Sequence, residues 1–155
     1  MNTPAELKNP LLDFSGLPRF AEVRPEHVTP AVNHLLQHNR DVVARLLADT
    51  SQPTWESFVL PLDDANEQMS RAWGQVGHLN AVMNSAELRE VYNANLPKIT
   101  QYYAELGQNL ALYAKFKALL WTEVNDLPEN TIPYIRRAIE NFQTGVMFEE
   151  FGWEQ

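Results

Sequence analysis

At 155 residues the chain has the length of one ordinary domain, and its 45% hydrophobic and 21% charged residues are those of a globular protein rather than a disordered one. Its formal charge of −8 argues against nucleic acid or an anionic membrane as partner, because phosphate surfaces reward clustered Lys and Arg, and here no basic run exceeds Arg136-Arg137. With no cysteine, disulfides, thiolate zinc sites and cysteine nucleophiles are excluded, and no run of 18 apolar residues suggests a membrane-spanning helix.

Residues 1–26 read as an extended arm. Pro4, Pro10, Pro18 and Pro25 each fix φ and remove a backbone donor. The arm has no basic stretch leading into an apolar core, so it does not read as a secretory leader, and a cytoplasmic protein is expected. Leu11, Leu12, Phe14, Leu17 and Phe20 are apolar, which predicts an arm lying against the domain.

The remainder, 27–155, reads as a helical domain. Thr29 suits an N-cap and Pro30 the first helical position. Ala31, Val32, Leu35, Leu36, Val42, Val43, Leu46 and Leu47 then keep helical spacing to about Asp49, with Asn39 as a polar gap in the stripe. A short helix follows from Thr54 to Pro61. Next, Leu62, Ala65, Met69, Ala72, Val76, Leu79 and Met83 are spaced alternately three and four apart, a heptad seam. Gly74 and Gly77 within it suggest close approach of another helix, since each costs about 1 kcal/mol relative to Ala.

Asn84-Ser85 breaks the run, with Ser85 as the next N-cap. Leu88, Val91, Tyr92, Ile99, Tyr102, Tyr103 and Leu106 mark the buried side of a helix kinked at Pro97 and ended by Gly107. Another helix carries Leu110, Leu112, Tyr113, Phe116, Leu119 and Leu120. After Asp126-Leu127-Pro128, a last one spans about Pro133 to Gln143, with Tyr134, Ile135, Ala138, Ile139 and Phe142 inward. No segment alternates with period two, so the expected class is all-α, an up-and-down bundle of helical hairpins preceded by the arm.

Five stretches, NPLLDFSGLPRF at 9–20, RPEHVTPAV at 24–32, TWESFVLPL at 54–62, VGHLNAVMNSAELREVYNANLPKI at 76–99 and ELGQNLALYAKFKAL at 105–119, stand in order and in register. Together they resemble the N-terminal region of the M3, thimet oligopeptidase-like zinc metallopeptidases, in their oligopeptidase A branch. The resemblance is clear over about 9–120 and fades after Trp121. It implies a helical segment of a cytoplasmic endopeptidase that cleaves short peptides in a channel between two mostly helical halves. It also implies Zn²⁺ in the intact enzyme, held by a His-Glu-x-x-His helix and a downstream Glu. That motif does not occur in these 155 residues, so no catalytic, cofactor-binding or metal-binding residue carries over, and the chain reads as a truncated copy or gene fragment, inert by itself. The partners so implied are the missing catalytic half, or self-association through an apolar docking face.

Four residue groups invite a chemical reading. His34 and His38 have zinc-ligand spacing, but Leu35 stands where a general base would be, and both share a polar face with Asp41 and Arg45. His78, beside Leu79 in the seam, reads as a buried histidine bonded to a neighbouring helix, and His27 as a residue that fixes entry into the first helix. Asp63-Asp64 suits a helix's first turn, where carboxylates meet the positive end of the dipole. Tyr102-Tyr103 and the four tryptophans read as core and interface residues. A free-standing helical module that binds peptides or a peptidase partner is the competing expectation.

Overall fold

A computed structural model of the chain describes residues 8–83, 85–123 and 129–150. The fold is all-α: five α-helices and no strand among the described residues. The helices are α1 (Pro25–Ala48), α2 (Leu60–Met83), α3 (Ala86–Gly107), α4 (Leu110–Glu123) and α5 (Ile132–Glu150). The expected turn at Asp126-Leu127-Pro128 lies outside the described residues. Packing divides the chain into two compact units, Met1–Val42 with Leu62–Thr100, and Val43–Pro61 with Gln101–Gln155.

In the first unit, single 3-10 turns at Pro10–Leu12 and Phe20–Glu22 precede α1. Leu11 is buried, Leu12 and Phe14 are half-buried, and Leu17 is 89% exposed, so not every apolar side chain of this stretch is covered. Asn9 holds the first turn down: its Oδ1 accepts from Leu11 N–H at 3.0 Å and its Nδ2 donates to the His27 carbonyl at 2.8 Å. Arg71 of α2 lies over the Phe14 ring, 5.9 Å from its centroid, and donates to the Gly16 carbonyl.

α1 begins four residues before the expected Thr29 cap. Pro25 takes the first helical position, and His27 Nδ1 accepts from the Arg24 backbone N–H at 2.9 Å. His27 therefore fixes the helix entry. Pro30 falls inside the helix, where it removes one ladder bond, yet it is exposed, which leaves the freed Glu26 carbonyl within reach of water. Thr29, released from capping, turns its hydroxyl to α3 instead.

There Asn95, with no exposed surface, donates from Nδ2 to Thr29 Oγ1 at 2.8 Å and to the Val91 carbonyl at 2.7 Å. Its Oδ1 accepts from Lys98 Nζ at 3.2 Å, and Lys98 also donates to Asn33 Oδ1 of α1 at 3.0 Å. Asn39 is equally buried but poorly served. Its Nδ2 stands 3.5 Å from Asn66 Oδ1, and its own Oδ1 has no partner among the described residues.

The seam on α2 matches the heptad spacing for six of its seven residues: Leu62, Ala65, Met69, Ala72, Val76 and Leu79 are buried, whereas Met83 is 67% exposed. Neither glycine serves close approach. A Cβ on Gly74 would meet open space, and one on Gly77 would stand 4.0 Å from the Tyr92 ring, an ordinary contact. That ring instead stacks on Trp73, 4.8 Å away and 11° from parallel. Ser85 caps α3, accepting from Leu88 N–H at 3.1 Å, and α3 continues through Pro97.

In the second unit, Thr54 and Ser57 form a reciprocal capping box, each side-chain oxygen accepting from the other residue's backbone N–H at 3.0 Å. The turn they start, Trp55–Val59, is wider than an α-turn and runs directly into Leu60, so the expected separate short helix is the entry to α2. Asn109 caps α4 through its Oδ1, 3.1 Å from Leu112 N–H. The core is aromatic. Phe116 lies between Phe58, at 4.9 Å, and Phe142, at 5.7 Å, with Leu112, Leu119 and Ile135 fully buried beside them. α5 runs seven residues past the expected end at Gln143, to Glu150.

The Asn95 site yields a stability test. Asn95→Ala removes the partner of the Thr29 hydroxyl and one of the two acceptors of Lys98 and opens a small void, so it should cost about 1–3 kcal/mol and lower Tm by several degrees. Thermal denaturation followed by circular dichroism checks this. An unchanged Tm would mean the hydrogen bonds contribute nothing net.

Candidate functional site

The histidines offer the first candidate for chemistry. His34 and His38 stand one turn apart on α1, as their spacing requires, but Leu35 between them is buried in the apolar stripe. His34 is half-buried and His38 exposed, so they do not share a uniformly solvated face. Asp41, one turn beyond, accepts from Gln37 Nε2 at 2.8 Å. No three His, Asp or Glu side chains converge to hold a metal ion among the described residues. The donors present among the described residues therefore do not fit the zinc that the resemblance implies.

His78 is not buried as expected. It is exposed and meets the Phe20 ring edge-on at 5.3 Å, while its neighbour Leu79 takes the seam position. Asp63 stands in the first turn of α2, whereas Asp64 falls just beyond it. The aromatic residues divide. Tyr102 is fully buried, but Tyr103 is 41% exposed, and the part of it that is covered pushes its hydroxyl pKa up. Trp55 and Trp73 are half-buried, Trp121 is 80% exposed and so no core residue, and Trp153 lies outside the described residues.

Two carboxylates are tuned, and both serve turns. Ser15 donates its hydroxyl at 2.5 Å and its N–H at 3.0 Å to Asp13, which holds that carboxyl below its ordinary pKa, with Arg19 and Arg71 assisting. Asp49 makes the same pattern with Ser51 just after α1, and its pKa falls for the same reason. Each stabilises its loop by fixing the chain two residues on. Neither lines the cleft beside α2 and α3.

The concave feature of the first unit lies elsewhere. A cleft of about 380 Å³ opens where the 3-10 turn at Phe20 and the start of α1 face the end of α2 and the start of α3. Val23, Leu79 and Leu88 are its buried apolar lining, with Phe20 and Met83 more exposed and Arg24 and Ser85 as its polar members. Sequence reasoning missed this site. Its one signal was Met83, a seam residue placed directly before a helix break.

Comparison with known proteins adds the relationship. Residues 32–150 match the family model described as the N-terminal domain of neurolysin/thimet oligopeptidase. Over 115 residues, 73% of this chain, it is 45% identical to oligopeptidase A of Haemophilus influenzae, and the match covers 16% of that protein. Over 113 residues it is 40% identical to oligopeptidase A of Escherichia coli, covering 73% of this chain and 17% of the relative. A probable cytosolic oligopeptidase A of Arabidopsis thaliana is 33% identical over 111 residues, 72% of this chain and 16% of that protein. The chain thus spans 16–17% of the length of these curated relatives.

The histidine pair can be tested directly. Chain prepared metal-free and then dialysed against zinc should hold no stoichiometric zinc by elemental analysis, and His34→Ala/His38→Ala should leave the content unchanged. One zinc per chain, lost in the double variant, would restore these residues as ligands.

Proposed function

We propose that this chain, which belongs to the neurolysin/thimet oligopeptidase N-terminal domain family, acts as the non-catalytic N-terminal segment of an oligopeptidase A-like zinc metalloendopeptidase that degrades short peptides. The observation that carries this reading is the 45% identity over 115 residues to a protein of which the match is a small N-terminal share. The domain's role is then to form one wall of a peptide channel and to support the catalytic half. Zinc belongs to that other half, where it would activate water for peptide hydrolysis. The chain itself supplies neither ligands nor a general base, since none of His27, His34, His38 and His78 is followed by Glu.

No described helix is long and apolar enough to cross a membrane. A cytoplasmic setting belongs to this reading and is supported by the relative named as cytosolic, while another relative is named as chloroplastic/mitochondrial. The partner is the remainder of the longer protein, and the exposed side of α4 suits it. Leu110 and Trp121 are 61% and 80% exposed and lie eleven residues apart, about three helical turns, with exposed Ala114 and Lys117 between them. Such a stripe is unusual for a free surface and ordinary for one that another element covers. A free-standing peptide-binding module is the second reading, and the cleft beside Met83 is what favours it.

The chain alone, with zinc added, should hydrolyse a fluorogenic oligopeptide no faster than buffer. At high concentration it should self-associate through the uncovered stripe, and Trp121→Lys should return it to a monomer on gel filtration. Zinc-dependent turnover would overturn the non-catalytic assignment. A wild type that stays monomeric at millimolar concentration would remove the docking role of α4.

A further inference from the structure

The role as a segment of a larger enzyme leaves the cleft of the first unit unused, and assigning it a guest rests on the second reading, a peptide-binding module. Its lining is apolar on every side that packing provides: Val23 from the approach to α1, Leu79 and Met83 from the end of α2, Leu88 from α3. A volume of about 380 Å³ accommodates one or two large side chains, at the lower end of ordinary ligand pockets. Met83 adds an adaptable wall, because an unbranched thioether reshapes around differently sized guests.

The charged member is a single cation. Arg24 lines the cleft, is exposed, and makes no ion pair among the described residues, although the chain carries 20 carboxylates. Arg19, five residues earlier, is by contrast held by Asp13 at 3.0 Å and Glu22 at 2.8 Å. Two helix starts reinforce the sign. Pro25 opens α1 and Ser85 caps α3, and both line the cleft, so its polar edge faces the positive ends of two helices. Glu26 and Glu87 stand in those first turns but are exposed and do not line the cleft. The complement is a guest with an apolar body and one carboxylate.

We propose that this cleft binds the C-terminal end of a peptide whose last residue is large and apolar, its side chain among Val23, Leu79, Met83 and Leu88 and its terminal carboxylate on Arg24. A planar guanidinium matches a carboxylate through two parallel N–H donors, which a lone amide could not offer. A peptide end can place its last side chain in this volume while the rest of the peptide stays in solvent. This site goes beyond the proposed role in a larger enzyme and needs no catalytic half.

The test uses the ¹⁵N-labelled chain as it stands, titrated with N-acetyl-leucyl-phenylalanine as the free acid and as the C-terminal amide. The acid should shift the backbone resonances of Ala21, Arg24, Met83 and Leu88 progressively, and the amide should require about tenfold higher concentration. Arg24→Gln should bring the acid down to the amide's affinity, and Met83→Glu should abolish both. Both positions are exposed, and the acid-against-amide comparison on the wild type needs no variant. The proposal is overturned if acid and amide bind equally, if neither shifts these resonances, or if the shifts centre elsewhere. Decanoate binding as tightly as the acid peptide would give the cleft to acyl carboxylates instead. These readouts are independent of peptidase activity and self-association, so failure here and failure of the proposed function are distinguishable.

Discussion

The first unit depends on a polar contact placed where the helical pattern would put an apolar one. Asn95 is wholly buried on α3, and burying an amide without partners costs several kcal/mol in an apolar surrounding. Here both its N–H groups donate and its oxygen accepts from Lys98, so the cost is met in full. Such a site stabilises only one alignment. Sliding α3 by one residue against α1 would separate Asn95 from Thr29 and Lys98 from Asn33 together. The apolar stripes of α1 and α2 provide most of the burial, but greasy surfaces tolerate slippage. The Asn95 cluster does not.

Asn39 shows the contrast. It is as buried as Asn95, yet has one long hydrogen bond and an oxygen without a partner among the described residues. A half-satisfied amide weakens a core relative to an apolar residue of the same size. Two asparagines with the same burial therefore act in opposite directions, and partner geometry decides which. Both lie in helices whose apolar spacing gives no hint of the difference.

What the sequence made legible was the period. Spacing and residue type located the α2 seam, the cap Ser85, a helix start at Thr54, the end of α3 at Gly107 and the all-α class. It failed where a residue has two competing uses. Thr29 followed by Pro30 is a good helix start, but Pro25 and the His27 imidazole begin the helix earlier and leave Thr29 for Asn95. His78 sits beside a seam residue, and a one-residue step rotates a side chain by about 100° on a helix, enough to carry it from core to solvent. Gly74 and Gly77 suggested close helix contact, which spacing cannot distinguish from mere tolerance of a missing side chain. Of the candidate site, Leu79, Met83 and Leu88 lay within the pattern and Ser85 at its break, whereas Arg24 lay outside any periodic signal.

The apolar residues that the pattern assigns to the core and the packing leaves outside point to interaction more directly than any titratable group. Met83 is the last seam residue of α2, and it is exposed where the six before it are buried. Trp121 and Leu110 are likewise exposed on α4, a helix apolar on nearly all sides, and such helices are normally enclosed. For a domain that is about a sixth of its relatives' length, incomplete enclosure is the natural condition. Incomplete enclosure becomes selective only where a charge accompanies it. The α4 stripe carries the exposed Lys117 along its length, with its ammonium over the Tyr113 ring at 5.3 Å, whereas the cavity at the α2 end is lined by Arg24, which makes no ion pair among the described residues. In the role proposed for the domain, the first geometry is the one to meet a broad apolar surface. The second discriminates by the charge at the end of its guest, which is the property of a binding site rather than of an unfinished core.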